Sequence, residues 1–346
     1  MASTTRPDER SRAEGALWGE FIGDALAMPV HWYYDRHALQ RDYGEVRDYL
    51  EPRNPHPGSI LHRSHYEPPS AKGEILHDEA QYWGRHGIHY HQHLAAGENT
   101  LNLKLARLLL ESLAERGEYD ADDYLDRMIR FMTTPGSHRD TYVEEFLRGF
   151  FDRYARGADP HDCGIVEKHI GGLAGTVPLL VHYRRDHARA RRAAAEHLEL
   201  THRGALMASG LEALASVLLP VLAGERLRDV LERSIEARRH PLFAHPYARW
   251  LLQDDLEVIG REVAPSCYIE ESVPGVLYLA LKYHDDPEAA LVANTMCGGD
   301  NCYRGAALGA LLGAENGLAG WPQRWRDGLV EPPFLPEARA RVDSGG

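Results

Sequence analysis

Asp300 is the acidic residue whose setting most suggests chemistry. It lies in Asn294-Thr295-Met296-Cys297-Gly298-Gly299-Asp300-Asn301-Cys302-Tyr303-Arg304-Gly305, ahead of the small-residue run that ends at Ala314. Two glycines before an aspartate allow a tight turn and a close approach of backbone to a ligand. Asp300 then falls at or just before a helix N-terminus, where it caps the helix or holds a cation or polar substrate. A second candidate is His89-Tyr90-His91-Gln92-His93, in a chain with 20 histidines. If extended, that segment turns all three imidazoles to one side. Neutral imidazole suits zinc, copper, iron or nickel. A solvated histidine-rich loop is the alternative.

The elements that must position these residues read as helices. From Ser11 the spacing of Leu17, Phe21, Ile22, Leu26 and Val30 is helical, with Gly15, Gly19 and Gly23 along one close-packing edge. Pro29 ends or kinks it. Asp24 on this helix is either a satisfied buried carboxylate or a functional one. Residues 51–96 carry Pro52, Pro55, Pro57, Pro68 and Pro69 with no helical or alternating period. So long an irregular segment is a lid or an insert. Helices are expected from Gly97 to Arg116, over 121–133, and over 141–156 with a capping-box spacing from Thr141 to Glu144. Further helices are expected at 205–222, 226–238, 242–259 and 276–283. The last begins at Pro287, behind an aspartate cap, and runs to Met296. Gly171 and Gly172 either admit a close approach or break a helix. No stretch alternates convincingly at period two. The expectation is one all-α domain over residues 12–330, a disordered tail over 1–11 and a peripheral tail over 331–346.

Composition narrows the functional class. The net charge is −13, and no Lys/Arg run is dense enough for a nucleic-acid footprint. The four cysteines, Cys163, Cys267, Cys297 and Cys302, do not make a disulfide scaffold. The polar N-terminus does not read as a signal peptide, and no apolar run is expected to reach the length of a membrane span. The expectation is a cytoplasmic protein with a polar small-molecule substrate and neither nucleic acid nor membrane as partner, its oligomeric state open.

The opening Gly15-Ala16-Leu17-Trp18-Gly19-Glu20-Phe21-Ile22-Gly23-Asp24-Ala25-Leu26-Ala27-Met28-Pro29-Val30 and the closing Gly298-Gly299-Asp300 with its Gly/Ala helix resemble the ADP-ribosylglycohydrolase family. The resemblance spans roughly residues 12 to 320. It implies a compact, many-helix orthogonal bundle. It also implies hydrolysis of ADP-ribose from side chains or small acceptors, with two magnesium or manganese ions that polarise ribose hydroxyls and activate water.

The resemblance places metal ligands in three regions, and this chain departs at most of them. A Thr-Asp-Asp-Thr stretch aligns with Gly97-Glu98-Asn99-Thr100. A glutamate after the first motif is replaced by His31. An Asp-x-Asp-Thr stretch retains Asp300 but has Cys302 and Tyr303 at its later positions. Too few anionic oxygens remain for two divalent ions. The expected site is therefore a metal-free pocket with Glu98 and Asp300 as an acid/base pair facing each other. His31, Asn99, Thr100, Cys302, Tyr303 and Arg304 would contact substrate, Arg304 as partner for an anion. A softer single ion on His31, Cys302 and a carboxylate is one alternative. A Cys302 nucleophile with His31 as base is another. The expected activity is cleavage of an N- or O-glycosidic bond of a ribosyl or nucleotide-like small molecule. A lyase or isomerase step on the same scaffold, and a non-catalytic binding or crystallin-like role, are the competing readings.

Overall fold

The computed structural model describes residues 6–336. Sixteen α-helical segments build it, joined by turns and short 3-10 pieces. The core is a pair of antiparallel helices from opposite ends of the chain. They are α1 (Glu9–Ala27) and α15 (Asn301–Asn316). Gly15, Gly19 and Gly23 of α1 meet Gly313, Gly309 and Gly305 of α15, backbone against backbone. A Cβ at any of these positions would lie inside the facing carbonyl group. The four-residue spacing keeps all three glycines on one helix face, and backbones this close favour Cα–H···O contacts between helices. Trp321 closes the seam by donating its indole N–H to the Gly15 carbonyl at 2.9 Å.

Around this pair stand α9 (Ala205–Leu222), α13 (Ile269–Lys282) and α14 (Pro287–Met296), with the short α6 (Gly171–Ala174) and α7 (Val177–His182). The first layer at the front is α3 (Leu101–Arg116), α4 (Ala121–Thr133) and α5 (Glu145–Ala155). The remaining segments, α2 (Arg36–Tyr43), α8 (His187–Glu199), α10 (Leu227–Ala237), α11 (Tyr247–Trp250), α12 (Asp255–Glu257) and α16 (Gln323–Gly328), lie outside them. Helix α9 is long and apolar enough to cross a membrane by length and composition, yet 61% of it is buried inside the protein. This corrects the expectation that no apolar run reaches the length of a span: α9 does, and it is apolar all round because it packs against helices on several sides.

The all-α expectation holds, with local corrections. Helix α1 starts at Glu9, capped by the Asp8 carboxylate, which accepts from the Ser11 amide at 2.7 Å. The N-terminal tail is therefore shorter than 1–11, and its residues 1–5 lie outside the described residues. Residues 337–346 of the expected C-terminal tail also lie outside them. Residues 242–259 form not one helix but α11, α12 and turns. Helix α13 starts seven residues earlier than the periodicity indicates, at Ile269, and carries Pro274 in its interior. The Thr141–Glu144 capping box does not form. Glu144 is itself the N-cap residue, and the Thr141 hydroxyl donates to Glu79 at 2.6 Å. One feature has no trace in the alternation pattern: a parallel pair of two-residue strands, β1 (Ile165–Val166) and β2 (His202–Arg203).

Residues 51–96 are irregular, as expected, but not loose. The segment buries His56, Leu61, Ile75, Leu76 and Tyr90 and forms one wall of the cleft described next.

Candidate active site

Asp300 is placed by a knot of backbone hydrogen bonds. Gly298 and Gly299 both have positive φ, 66° and 65°. A Cβ on either would strike the carbonyl of Tyr33 or Pro265. The Gly299 carbonyl accepts from Trp32 N at 2.8 Å, and its N–H donates to the Tyr33 carbonyl at 2.8 Å. Asp300 N donates to Pro265 O at 3.1 Å. Two distant loops are thus pinned to the start of α15, which Asp300 caps through the Tyr303 amide. Trp32 adopts φ 60°, an uncommon conformation for a bulky residue. It is held there by that hydrogen bond and by stacking on His31, with ring centroids 3.8 Å apart.

Beside Asp300 lies a cleft of about 400 Å³, within the range of small-molecule sites. Trp32, Tyr34, Tyr90, Tyr142, Phe146 and Tyr268 supply its aromatic walls. Glu144, Glu145, Glu167, His169, Cys267 and Arg63 supply its polar groups. The floor is a shared imidazole. His169 Nε2 lies 3.2 Å from Glu144 Oε2 and 3.3 Å from Asp300 Oδ2. Glu144 Oε1 accepts from the Tyr303 hydroxyl. Asp300 is fully buried, and its Oδ2 makes no hydrogen bond of good geometry.

Electrostatics separate these two acids. Burial pushes the Glu144 carboxyl up to about 8; the Tyr303 hydroxyl opposes this and Asp300 adds to it. Burial also raises Asp300, against the pull of His169 and Arg304. Asp300 gathers two imidazoles, since His31 Nε2 lies 3.3 Å from its Oδ1, and it faces the Tyr303 amide as well. It is the better-supported anion, and Glu144 the better proton carrier. Two carboxyls in different surroundings of this kind can divide acid and base roles.

Behind Asp300 the histidines form a buried chain. His31 Nδ1 meets His91 Nε2 at 2.8 Å, and His91 Nδ1 meets Asp140. Asp140 Oδ2 in turn accepts from Leu101 N at the start of α3. Burial lowers His31 well below its ordinary range. Burial also pulls His91 down, but Asp140 more than compensates and leaves it raised.

The other expected residues are placed as follows. Glu98 does not face Asp300 and does not line the cleft. Its oxygens accept from Lys104 at 2.6 Å, Arg139 at 2.8 Å and Ala95 N at 2.9 Å. The acid that converges on Asp300 is Glu144. Asn99 donates from Nδ2 to Asp24 and to the Phe21 carbonyl, both at 2.8 Å. Thr100 donates to Asp24 from its amide at 2.9 Å and its hydroxyl at 2.7 Å. Asp24 therefore secures the start of α3, which bears out its structural reading. Cys302 Sγ faces the Asp24 carbonyl at 3.5 Å, and burial raises its thiol well above the ordinary value. A thiol so raised is a poor nucleophile. Arg304 is buried and turned away, bonded to Asn294 and the Gly298 carbonyl. His31 and Tyr303 do join the site, as supports for Asp300 and Glu144.

The histidine segment at 89–93 is a turn, not an extended strand. His89 Nε2 meets the Pro29 carbonyl at 3.0 Å, His91 faces His31 and Asp140, and half-exposed His93 lies 3.6 Å from Glu79. The three rings serve different partners, which removes the common metal site. The softer site on His31 and Cys302 fails because both ring nitrogens of His31 are engaged. A ring nitrogen of His169, Cys267 Sγ and an Asp300 oxygen do lie within 4.8 Å of one another, and Nε2 is the nitrogen that lies 3.3 Å from Asp300. However, His169 Nδ1 accepts from Gly171 N at 3.1 Å, which puts its proton on Nε2. A metal-ligating histidine instead donates from its other nitrogen.

The family model described as ADP-ribosylglycohydrolase matches residues 5–344. The chain belongs to the ADP-ribosylglycohydrolase family. It is 26% identical over 331 residues to an uncharacterised protein of Archaeoglobus fulgidus, covering 94% of each chain. A solved structure described as an ADP-ribosylglycohydrolase-related protein complex superposes with a TM-score of 0.62 at 25% identity, covering 93% of each chain. The family's two-ion chemistry asks for clustered hard oxygen donors. In this chain Glu98 is neutralised by Lys104 and Arg139, Asn99 is spent on Asp24, and the resemblance puts Cys302 where the family has an aspartate and Tyr303 where it has a threonine. That donor set does not fit a magnesium or manganese pair. The residues that sequence reasoning missed as site members are Glu144, His169 and Cys267. The signal was a histidine two residues before Gly171-Gly172, where the glycine amide fixes the imidazole tautomer.

Proposed function

We propose that this protein hydrolyses the N- or O-glycosidic bond of a ribosyl small molecule in the aromatic cleft, without a dinuclear magnesium or manganese centre. One observation carries the reading. Glu144 Oε2 and the hydrogen-bond-free Asp300 Oδ2 flank a single imidazole nitrogen at the cleft floor. Glycoside hydrolysis asks for one carboxylic acid and one carboxylate around an oxocarbenium-like carbon.

Protonated Glu144 gives its proton to the departing aglycone as the glycosidic bond breaks. Water adds its oxygen to the anomeric carbon and yields its proton to Asp300. His169, with its proton on Nε2, holds the two carboxyls in register. His31 supports the charge on Asp300 from behind. Glu144 replaces Glu98 as the acid of the pair.

The test is hydrolysis of a panel of ribosides by metal-free enzyme. Glu144→Gln and Asp300→Asn are expected to lower kcat roughly 10²–10⁴-fold. Glu98→Gln should leave kcat little changed, because Glu98 is buried in an ion pair with Lys104 and Arg139 and does not line the cleft. Chelator should not change the rate. Because the active form of Glu144 is protonated and its carboxyl is raised to about 8, the rate should fall as pH rises through about 8. A chelator-sensitive rate that survives Glu144→Gln but not Glu98→Gln would overturn the proposal.

A further inference from the structure

The charges around the cleft point to a narrower substrate class than family membership implies. A pyrophosphate-bearing ligand brings two negative charges and needs arginine, lysine or amide donors aimed at it. Among the described lining residues, three are glutamates and one is an arginine. Glu145 is exposed at the first turn of α5, and Glu167 stands on the facing segment, accepting from Lys168 N at 2.7 Å.

Nearby cations are committed elsewhere. Lys168 Nζ lies 4.0 Å over the outer ring of Tyr268 and 3.8 Å from Glu270. Arg148 reaches the Val143 and His65 carbonyls and the Tyr142 hydroxyl. Arg304 keeps one unpartnered nitrogen, but it is buried and does not line the cleft. That leaves Arg63, on the irregular wall, against Glu145 and Glu167.

The walls have the opposite preference. Tyr34 and Tyr268 line the cleft and are 53% and 42% exposed. Exposed rings over an acidic floor favour flat, electron-poor or cationic ligands, since the ring face attracts positive charge.

Building on the proposed hydrolysis, we infer that the cleft takes an N-riboside without phosphate whose aglycone is a flat, basic or cationic heterocycle, and that it rejects ADP-ribose. An N-glycosidic bond to a cationic ring breaks with its electron pair staying on the ring nitrogen. The aglycone leaves neutral, water supplies hydroxide to the anomeric carbon, and the remaining proton goes to Asp300. With a neutral basic ring, the Glu144 proton makes the cation first.

The experiment uses the full-length protein with nicotinamide riboside as the cationic probe. Nicotinamide mononucleotide, which adds one phosphate, and ADP-ribose are the anionic probes. Calorimetric binding is measured on Asp300→Asn to prevent turnover, and kcat/KM on the parent protein. At least a 10-fold preference for the riboside over both anionic probes is expected. Glu145→Gln with Glu167→Gln should shrink that preference 3-fold or more, with circular dichroism unchanged. Arg63→Gln, which removes the one cation among the described lining residues, should raise that preference. Tighter binding of ADP-ribose, lost in Arg63→Gln, would overturn this inference while leaving the hydrolytic reading standing. No binding or cleavage of any riboside or ADP-ribose would remove the hydrolytic reading, and this inference with it.

Discussion

Asp24 and Asp300 are the same residue type, both fully buried, and they stand at the two facing ends of the α1–α15 seam. Their surroundings differ in one respect. Asp24 receives the Asn99 amide and both donors of Thr100, which satisfies its oxygens. Asp300 has one oxygen supported by His31 and the Tyr303 amide, and one left without a hydrogen bond beside the cleft imidazole. A buried carboxylate whose oxygens are all occupied holds structure. One with a spare oxygen beside a cleft is available for chemistry. Burial alone does not distinguish the two.

The largest expected effect on stability comes from breaking the satisfied member. Asp24→Ala strands the Asn99 amide and the start of α3, and should cost about 3–5 kcal/mol. Asp300→Asn removes no comparable set and should cost about 1 kcal/mol or less while abolishing turnover. Urea unfolding of both variants reads the contrast. Equal losses would show that Asp300 is also chiefly structural.

The spacing between the two acids depends on the glycine seam. Gly23 precedes Asp24 and touches Gly305, five residues after Asp300. Gly23→Ala should force α1 from α15 at about 1–3 kcal/mol, and should lower kcat along with stability because Asp300 moves with α15. Gly44, which has open space around its missing Cβ, is a control for glycine loss without a packing clash. Its positive φ sets the baseline strain for a new side chain. A Gly23→Ala protein as stable and active as the parent would show that the seam does not set the site.

This contrast explains what could be read from the chain beforehand. The glycines at four-residue spacing and the Gly-Gly-Asp turn were legible because local periodicity and backbone geometry dictate them. The site partner was not. Glu98 looked like the second acid by its place in the motif, but Arg139, distant in sequence, folds over and neutralises it. Glu144 was read as part of a capping box, although its neighbours at the cleft are His169 and Tyr303. Which carboxylate is paired, and which is exposed to a cleft, depends on contacts between loops far apart in sequence. Helical spacing carries no information about those.

Glu20 sharpens the rule. It lies on α1 one turn before Asp24, fully buried, and neither carboxyl oxygen has a partner. Asp300 abuts His169, which lines the cleft, whereas neither Glu20 nor its neighbours Asp24 and Gly309 line it. An orphaned oxygen therefore marks a site only where a ligand can reach it. Burial, reinforced by the neighbouring charge of Asp24, raises the Glu20 carboxyl well above 4.5. The folded protein thus holds this proton more tightly than the unfolded chain does. The associated stability is complete below pH 4.5 and is lost as pH rises toward the folded-state value. Glu20→Met keeps the length and removes the orphaned oxygens. It should raise stability at pH 7 by about 1–2 kcal/mol, with a smaller gain near pH 4 and no change in kcat. Thermal unfolding at the two pH values measures this. If Glu20→Met instead lowered kcat as Asp300→Asn does, a spare oxygen would suffice to mark function even where no cleft reaches it, and access to the ligand would no longer separate the two acids.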